Sequence, residues 1–104
     1  MKHSLLLFVC TASLAVAAGN ATAGKAVYDR ACKSCHGADG TANPAIAKMM
    51  KVDMKALSSA DVQKMSDADI KAVIATGKGK MKPIASVKGA EADDVVAYVR
   101  SLKK

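Results

Sequence analysis

The sequence predicts a small all-α domain. No stretch shows the sustained period-2 alternation of β-branched residues that a strand requires. Helix start and stop signals recur instead, with Asn or Ser before apolar periodicity and Gly after it. The composition points the same way: 51% of the 104 residues are hydrophobic, yet only 3% are aromatic and Trp is absent. This length allows one domain and no more.

The first residues stand apart from that domain. Lys2 and His3 precede an apolar run from Leu5 to Ala18, fourteen residues long. The run falls short of a bilayer span and suits the apolar core of an export signal. Thr11 and Ser13 interrupt it, which weighs against an uncleaved anchor. Ala21-Thr22-Ala23 supplies a small-x-small cleavage site. Residues 1–23 are therefore expected to be a cleaved signal peptide, with Gly24 as the mature N-terminus and residues 24–104 as the domain. Cys10 leaves with the presequence. The expected location is the periplasm, with no integral membrane segment after cleavage.

Each helix has its own signal. Lys25 to Cys32 places Val27, Tyr28, Ala31 and Cys32 on one face. Asn43-Pro44 reads as an N-cap followed by an N1 proline, opening a short helix with an apolar stripe of Ile46, Met49 and Met50. Ser66 caps a third helix, with Asp69 at N3 and Met65 and Ile70 placed as a hydrophobic staple. That helix runs through Ile74 to Gly77, a C′ residue. The last helix follows Gly89. Glu91, Asp93 and Asp94 occupy its first turn and Arg100, Lys103 and Lys104 its end, which suits the macrodipole. Val95, Val99 and Leu102 form its buried stripe, with Tyr98 beside them. From Met54 to Lys64 the pattern is open, with Asp53, Ser58 and Ser59 each able to cap.

A domain of this size buries little surface and needs a staple. Residues 24–104 hold 15 Ala and only two aromatics, Tyr28 and Tyr98, so the core is thin. Cys32-Lys33-Ser34-Cys35-His36 supplies the answer. It is C-x-x-C-H, the c-type haem attachment signature. Two thiols three residues apart reach the two vinyl groups of one porphyrin and form thioethers, and His36 is held beneath the iron as its proximal ligand. The covalent haem is then both staple and missing core. Zinc would need four ligands, and only Cys32, Cys35 and His36 are strong ones. A thiol redox pair wants a βαβ setting. A Cys32–Cys35 disulfide would leave the thin core unexplained.

His36 is the only histidine after the presequence, so the second axial ligand is expected to be a methionine. The choices are Met49, Met50, Met54, Met65 and Met81; Met49 and Met50 fall on the apolar stripe of a short helix, and Met65 is used as a staple. Met81 follows Gly77-Lys78-Gly79-Lys80 and precedes Pro83, a cationic, flexible stretch that gives a methionine little reason for burial unless it binds something. Met81 is the expected distal ligand.

With these motifs the chain resembles the small monohaem class I cytochromes c, closest to the cytochrome c6/c553-like bacterial group. The resemblance rests on Cys32-x-x-Cys35-His36-Gly37, on Thr76-Gly77-Lys78-Gly79-Lys80-Met81, on the ending Val95 to Leu102, and on Gly24 and Tyr28. It implies three to five short helices wrapped around one covalent haem c, with His/Met ligation and one-electron transfer. It also implies a crossing of Gly24 and Tyr28 with Tyr98, and a hydrogen bond from the proximal histidine to a proline carbonyl, for which Pro44 is the candidate. Family members often have Met and Pro adjacent, whereas Lys82 intervenes here before Pro83.

The formal charge is +7, from 16 Lys and Arg against 9 Asp and Glu. Lys33, Lys78, Lys80 and Lys82 belong to the segments expected to flank the haem, with Lys48 and Lys88 nearby. They form an expected basic rim for acidic redox partners. Nucleic acid is not an expected partner, since no aromatics interleave the lysines. The expected protein is a monomeric electron carrier rather than an enzyme. A haem sensor or catalytic domain with an open distal position is the competing class.

Overall fold

The computed structural model describes residues 19–104. Among the described residues six helices follow one another: α1 (Ala21–Ala31), α2 (Lys33–His36), α3 (Pro44–Met50), α4 (Ala60–Gln63), α5 (Asp67–Thr76) and α6 (Ala90–Ser101). Among the described residues there is no strand, only an isolated bridge between Lys78 and Met81. The apolar run Leu5–Ala18 lies outside the described residues. No described helix is long and apolar enough to cross a membrane.

The first helix begins four residues before the expected Lys25. Asn20 is its N-cap, accepting from the Thr22 and Ala23 N–H groups, while the Asn20 N–H donates to Asp94 at 2.8 Å. The cap lies within residues 1–23, the segment expected to be leader. The helix stops at Cys32, whose φ of −121° leaves the helical region. A further single turn then carries the chain to His36.

The main packing unit is α1 against α6. Gly24 lies where a Cβ would overlap the Asp94 carbonyl and press on Tyr98, so the two backbones meet directly. Tyr28 is 0% exposed. Its ring meets Tyr98 at a centroid distance of 4.9 Å and an interplanar angle of 53°. The crossing of Gly24 and Tyr28 with Tyr98 is thus present, and tilted aromatic pairs of this kind add about 0.5–1.5 kcal/mol beyond their burial. On α6 the buried face differs from the expected stripe: Ala92 and Val96 are buried with Val95 and Val99, whereas Leu102 follows the helix and is only half-buried. Val27, Ile70, Ile74 and Val87 complete that cluster.

The local caps form as their side chains dictate. Asn43 accepts from the Ala45 N–H with Pro44 at the start of α3, and Ser66 accepts from the Asp69 N–H at the start of α5. Met65 packs on the cluster that contains Ile70. The open segment resolves at Ser59, whose hydroxyl accepts from the Val62 N–H to start α4. One expectation is corrected. Met49 is 70% exposed, so it is no part of an apolar stripe. The seven-residue α3 has no buried residue, and only Ile46, Ala47 and Met50 on it are half-buried.

Arg100 does more than complement a helix dipole. Its guanidinium donates to the Gln63 and Met65 carbonyls and to the Asp67 carboxylate. Gln63 in turn donates to the Leu57 and Val99 carbonyls at 2.8 and 2.9 Å. These bonds fix the 57–67 segment against α6.

Candidate functional site

The C-x-x-C-H residues occupy the join between α1 and α2. The His36 N–H donates to the Cys32 carbonyl at 3.0 Å and the Cys35 N–H to the same oxygen at 3.3 Å. One helical turn therefore presents Cys32, Cys35 and His36 together. Two straps hold it in place. The Tyr28 hydroxyl donates to the Gly37 carbonyl at 2.6 Å, and the Asn43 side chain donates to the Ser34 carbonyl at 3.2 Å.

All three motif side chains line one cavity of about 500 Å³. Its walls are overwhelmingly apolar: Val52, Leu57, Val62, Ile70, Val73, Ile74 and Ile84 among others, with Val95 and Val99 from α6. That size lies within the ~300–1,000 Å³ of small-molecule and cofactor sites. The thiols are free rather than joined. Among the described residues no three His, Cys, Asp or Glu side chains converge as a metal-holding group. The thiols and the imidazole line a wall instead of meeting at a point.

Burial sets the protonation of the motif. It pushes the Cys32 thiol up to about 11, so the sulfur stays protonated at neutral pH. Catalytic redox thiols are displaced the other way, into the thiolate range. Burial also lowers the His36 pKa, which favours the neutral imidazole that metal ligation requires. His36 Nδ1 is buried with no hydrogen-bond partner. The expected bond to Pro44 is absent, because Pro44 opens α3, where backbone carbonyls serve the helical ladder.

Met81 lines the same cavity. Its loop is not the flexible stretch that its glycines suggest. The Lys78 N–H donates to the Met81 carbonyl and the Met81 N–H to the Lys78 carbonyl, both at 2.9 Å. The Ile84 N–H then donates to the Ile74 carbonyl at 2.8 Å. Gly77 has φ +77°, and a Cβ there would lie 2.5 Å from the Met81 carbonyl oxygen, so the turn needs glycine. Met50, Met54 and Met65 line the cavity too, whereas Met49 does not. Packing arguments on isolated helices assigned Met50 and Met65 to a core; the core they face is this cavity. Lys78, Lys80 and Lys82 stand along the cavity as expected, joined by Lys55, which no motif marked. Lys33, Lys48 and Lys88 do not line it.

An apolar chamber that faces two free thiols and a neutral imidazole fits a covalently held porphyrin. The cytochrome c family model matches residues 21–103. The chain belongs to the cytochrome c family. Among solved structures, the KustC0563 c-type cytochrome is similar with a TM-score of 0.65 at 30% identity, over 78% of this chain and 98% of that one. No curated protein matches. The chain is thus a small class I cytochrome c, an all-α haem c protein of the electron-transfer type.

Proposed function

We propose that this cytochrome c is an exported, periplasmic one-electron carrier. Cys32 and Cys35 are the thioether attachment residues, His36 is the proximal ligand and Met81 the distal one. When bound, the haem supplies a reversible ferric–ferrous change, and the chain does the rest. The single observation that carries this reading is the shared cavity: the three motif side chains and Met81 line one apolar chamber. The Lys78–Met81 turn supports Met81 because paired backbone hydrogen bonds between Lys78 and Met81 hold its backbone beside the cavity, a closure found at neither Met54 nor Met65.

The protein's contribution is to exclude water, to hold His36 neutral and to limit reorganisation. Rigid attachment suits outer-sphere transfer, in which neither ligand leaves. Lys78, Lys80 and Lys82 supply a docking surface for acidic redox proteins, since no ion pair among the described residues engages them. Steering of this kind raises association rates and falls with salt. The carrier acts as a monomer.

The test is the ferric absorption spectrum of the mature holoprotein. A weak far-red sulfur-to-iron band, lost in Met81→Ala, is the expected result. Retention of the band in Met81→Ala would transfer the role to another methionine. Its absence from the wild type, together with ready CO binding, would replace the carrier by a ligand-binding haem protein.

A further inference from the structure

The fold uses residues that the small-x-small site Ala21-Thr22-Ala23 would discard. Asn20 accepts from the Thr22 and Ala23 N–H groups at 2.9 and 3.1 Å, and its carbonyl accepts from the Gly24 N–H at 2.8 Å. Its own N–H donates to the Asp94 carboxylate at 2.8 Å. Gly19 lies so close to the first turns of α6 that a Cβ would overlap the Asp93 carbonyl. The cytochrome c match also begins at residue 21, inside the segment.

Hydrolysis after Ala23 would have a physical cost at the new terminus. Gly24 is buried, with its backbone against α6. An α-ammonium there would be a charge taken out of water at the positive end of a helix dipole. It would also remove the cap of the helix that presents Cys32. An α-ammonium near Gly19 meets the opposite situation. It stands outside the helix, one residue from the Asn20 N–H that donates to the Asp94 carboxylate, while the Asp93 carboxylate pairs with Lys71.

The sequence offers an earlier site. Leu5 to Leu14 is an apolar core of ordinary signal length, and Ala15-Val16-Ala17-Ala18 follows it, with the small-x-small triad Ala15-Val16-Ala17 overlapped by Val16-Ala17-Ala18. We propose that the leader is removed within this stretch, at the Ala17–Ala18 or Ala18–Gly19 bond, so that Gly19 to Ala23 belong to the mature protein. The agent is a leader endopeptidase selective for small side chains. Water is added across one peptide bond, leaving a carboxylate on the leader and an α-ammonium on the mature chain. The inference rests on the export reading above, and goes beyond it by placing the processed bond.

N-terminal sequencing and intact mass of the haem-loaded protein purified from the periplasm decide the matter. The expected N-terminus is Ala18 or Gly19. A start at Gly24, or anywhere else within the mature segment, overturns the inference and leaves export intact. An intact Met1 terminus overturns both. Two variants sharpen the result. Ala23→Leu, at an exposed position, leaves the processed mass unchanged apart from the substitution, whereas Ala17→Leu with Ala18→Leu accumulates precursor. The opposite pattern places the bond after Ala23.

Discussion

The α1–α6 seam and the cavity wall are built from the same alanine-rich chain but are finished differently. At the seam, Gly24 brings backbones together, Tyr28 and Tyr98 meet at a tilt, and Val27, Ala92 and Val96, none of which lines the cavity, are buried by protein atoms alone. Along the wall, Met50, Val52, Met54, Leu57, Met65, Met81 and Ile84 are only half-buried, and each lines the cavity. The seam is a finished core. The wall is half of one, and the covalent haem is its other half. A small domain can divide its core this way because two thioethers place the second half without relying on side-chain packing.

The largest break in this comparison is removal of the tether. Cys32→Ser with Cys35→Ser is expected to abolish haem retention through denaturing electrophoresis and to erase the cooperative thermal transition. The net stability of a small domain, a few kcal/mol, does not survive the loss of half its core. A cooperative melt near the wild-type temperature would show that the wall folds on protein contacts.

Gly24→Ala attacks the seam alone. Its Cβ overlaps the Asp94 carbonyl, and neither helix can yield without separating Tyr28 from Tyr98. Overpacking of this kind costs about 1–3 kcal/mol. The melting temperature should fall by about 4–8 °C per kcal/mol, while the haem spectrum keeps its shape.

Tyr28→Phe is the smallest change and probes the strap between the seam and the motif. Loss of the hydrogen bond to the Gly37 carbonyl is expected to cost about 0.5–1.5 kcal/mol. Burial holds the Tyr28 phenol well above its ordinary pKa of 10.0, so it stays neutral in the folded state after the unfolded chain has begun to ionise. Its contribution is fully present below that ordinary value and is lost as pH rises beyond it. Urea melts from pH 8 to 11 should show a smaller alkaline loss in Tyr28→Phe than in the wild type.

What could be read in advance was what is local. The C-x-x-C-H spacing and the Asn43 and Ser66 caps act within a few residues, while the Gly24 crossing came only with the family resemblance, since its partners Asp94 and Tyr98 are far along the chain. The misses have physical reasons too. Asn20 was not read as a cap because it lies in the segment expected to be leader. The Arg100 guanidinium reaches carbonyls 35 and 37 residues away, a pairing that no periodicity encodes. Met49 and Met50 have the same local preferences, and only the cavity separates one that faces inward from one in solvent. The turn that closes on Met81 reads as flexible from Gly77 and Gly79, yet the same glycines allow its paired hydrogen bonds.

Native-state hydrogen exchange of the holoprotein, wild type beside Met81→Ala, tests the division most directly. Stability is not uniform across a structure, and half-finished regions open first. Amides at the seam, those of Val27 and Val96 among them, should exchange most slowly in both proteins. The amides of Lys78 and Ile84 should exchange through a lower-energy opening in the wild type and lose most of their protection in Met81→Ala. Equal protection of seam and wall, unchanged by the substitution, would contradict the claim that the wall is held by the haem through Met81.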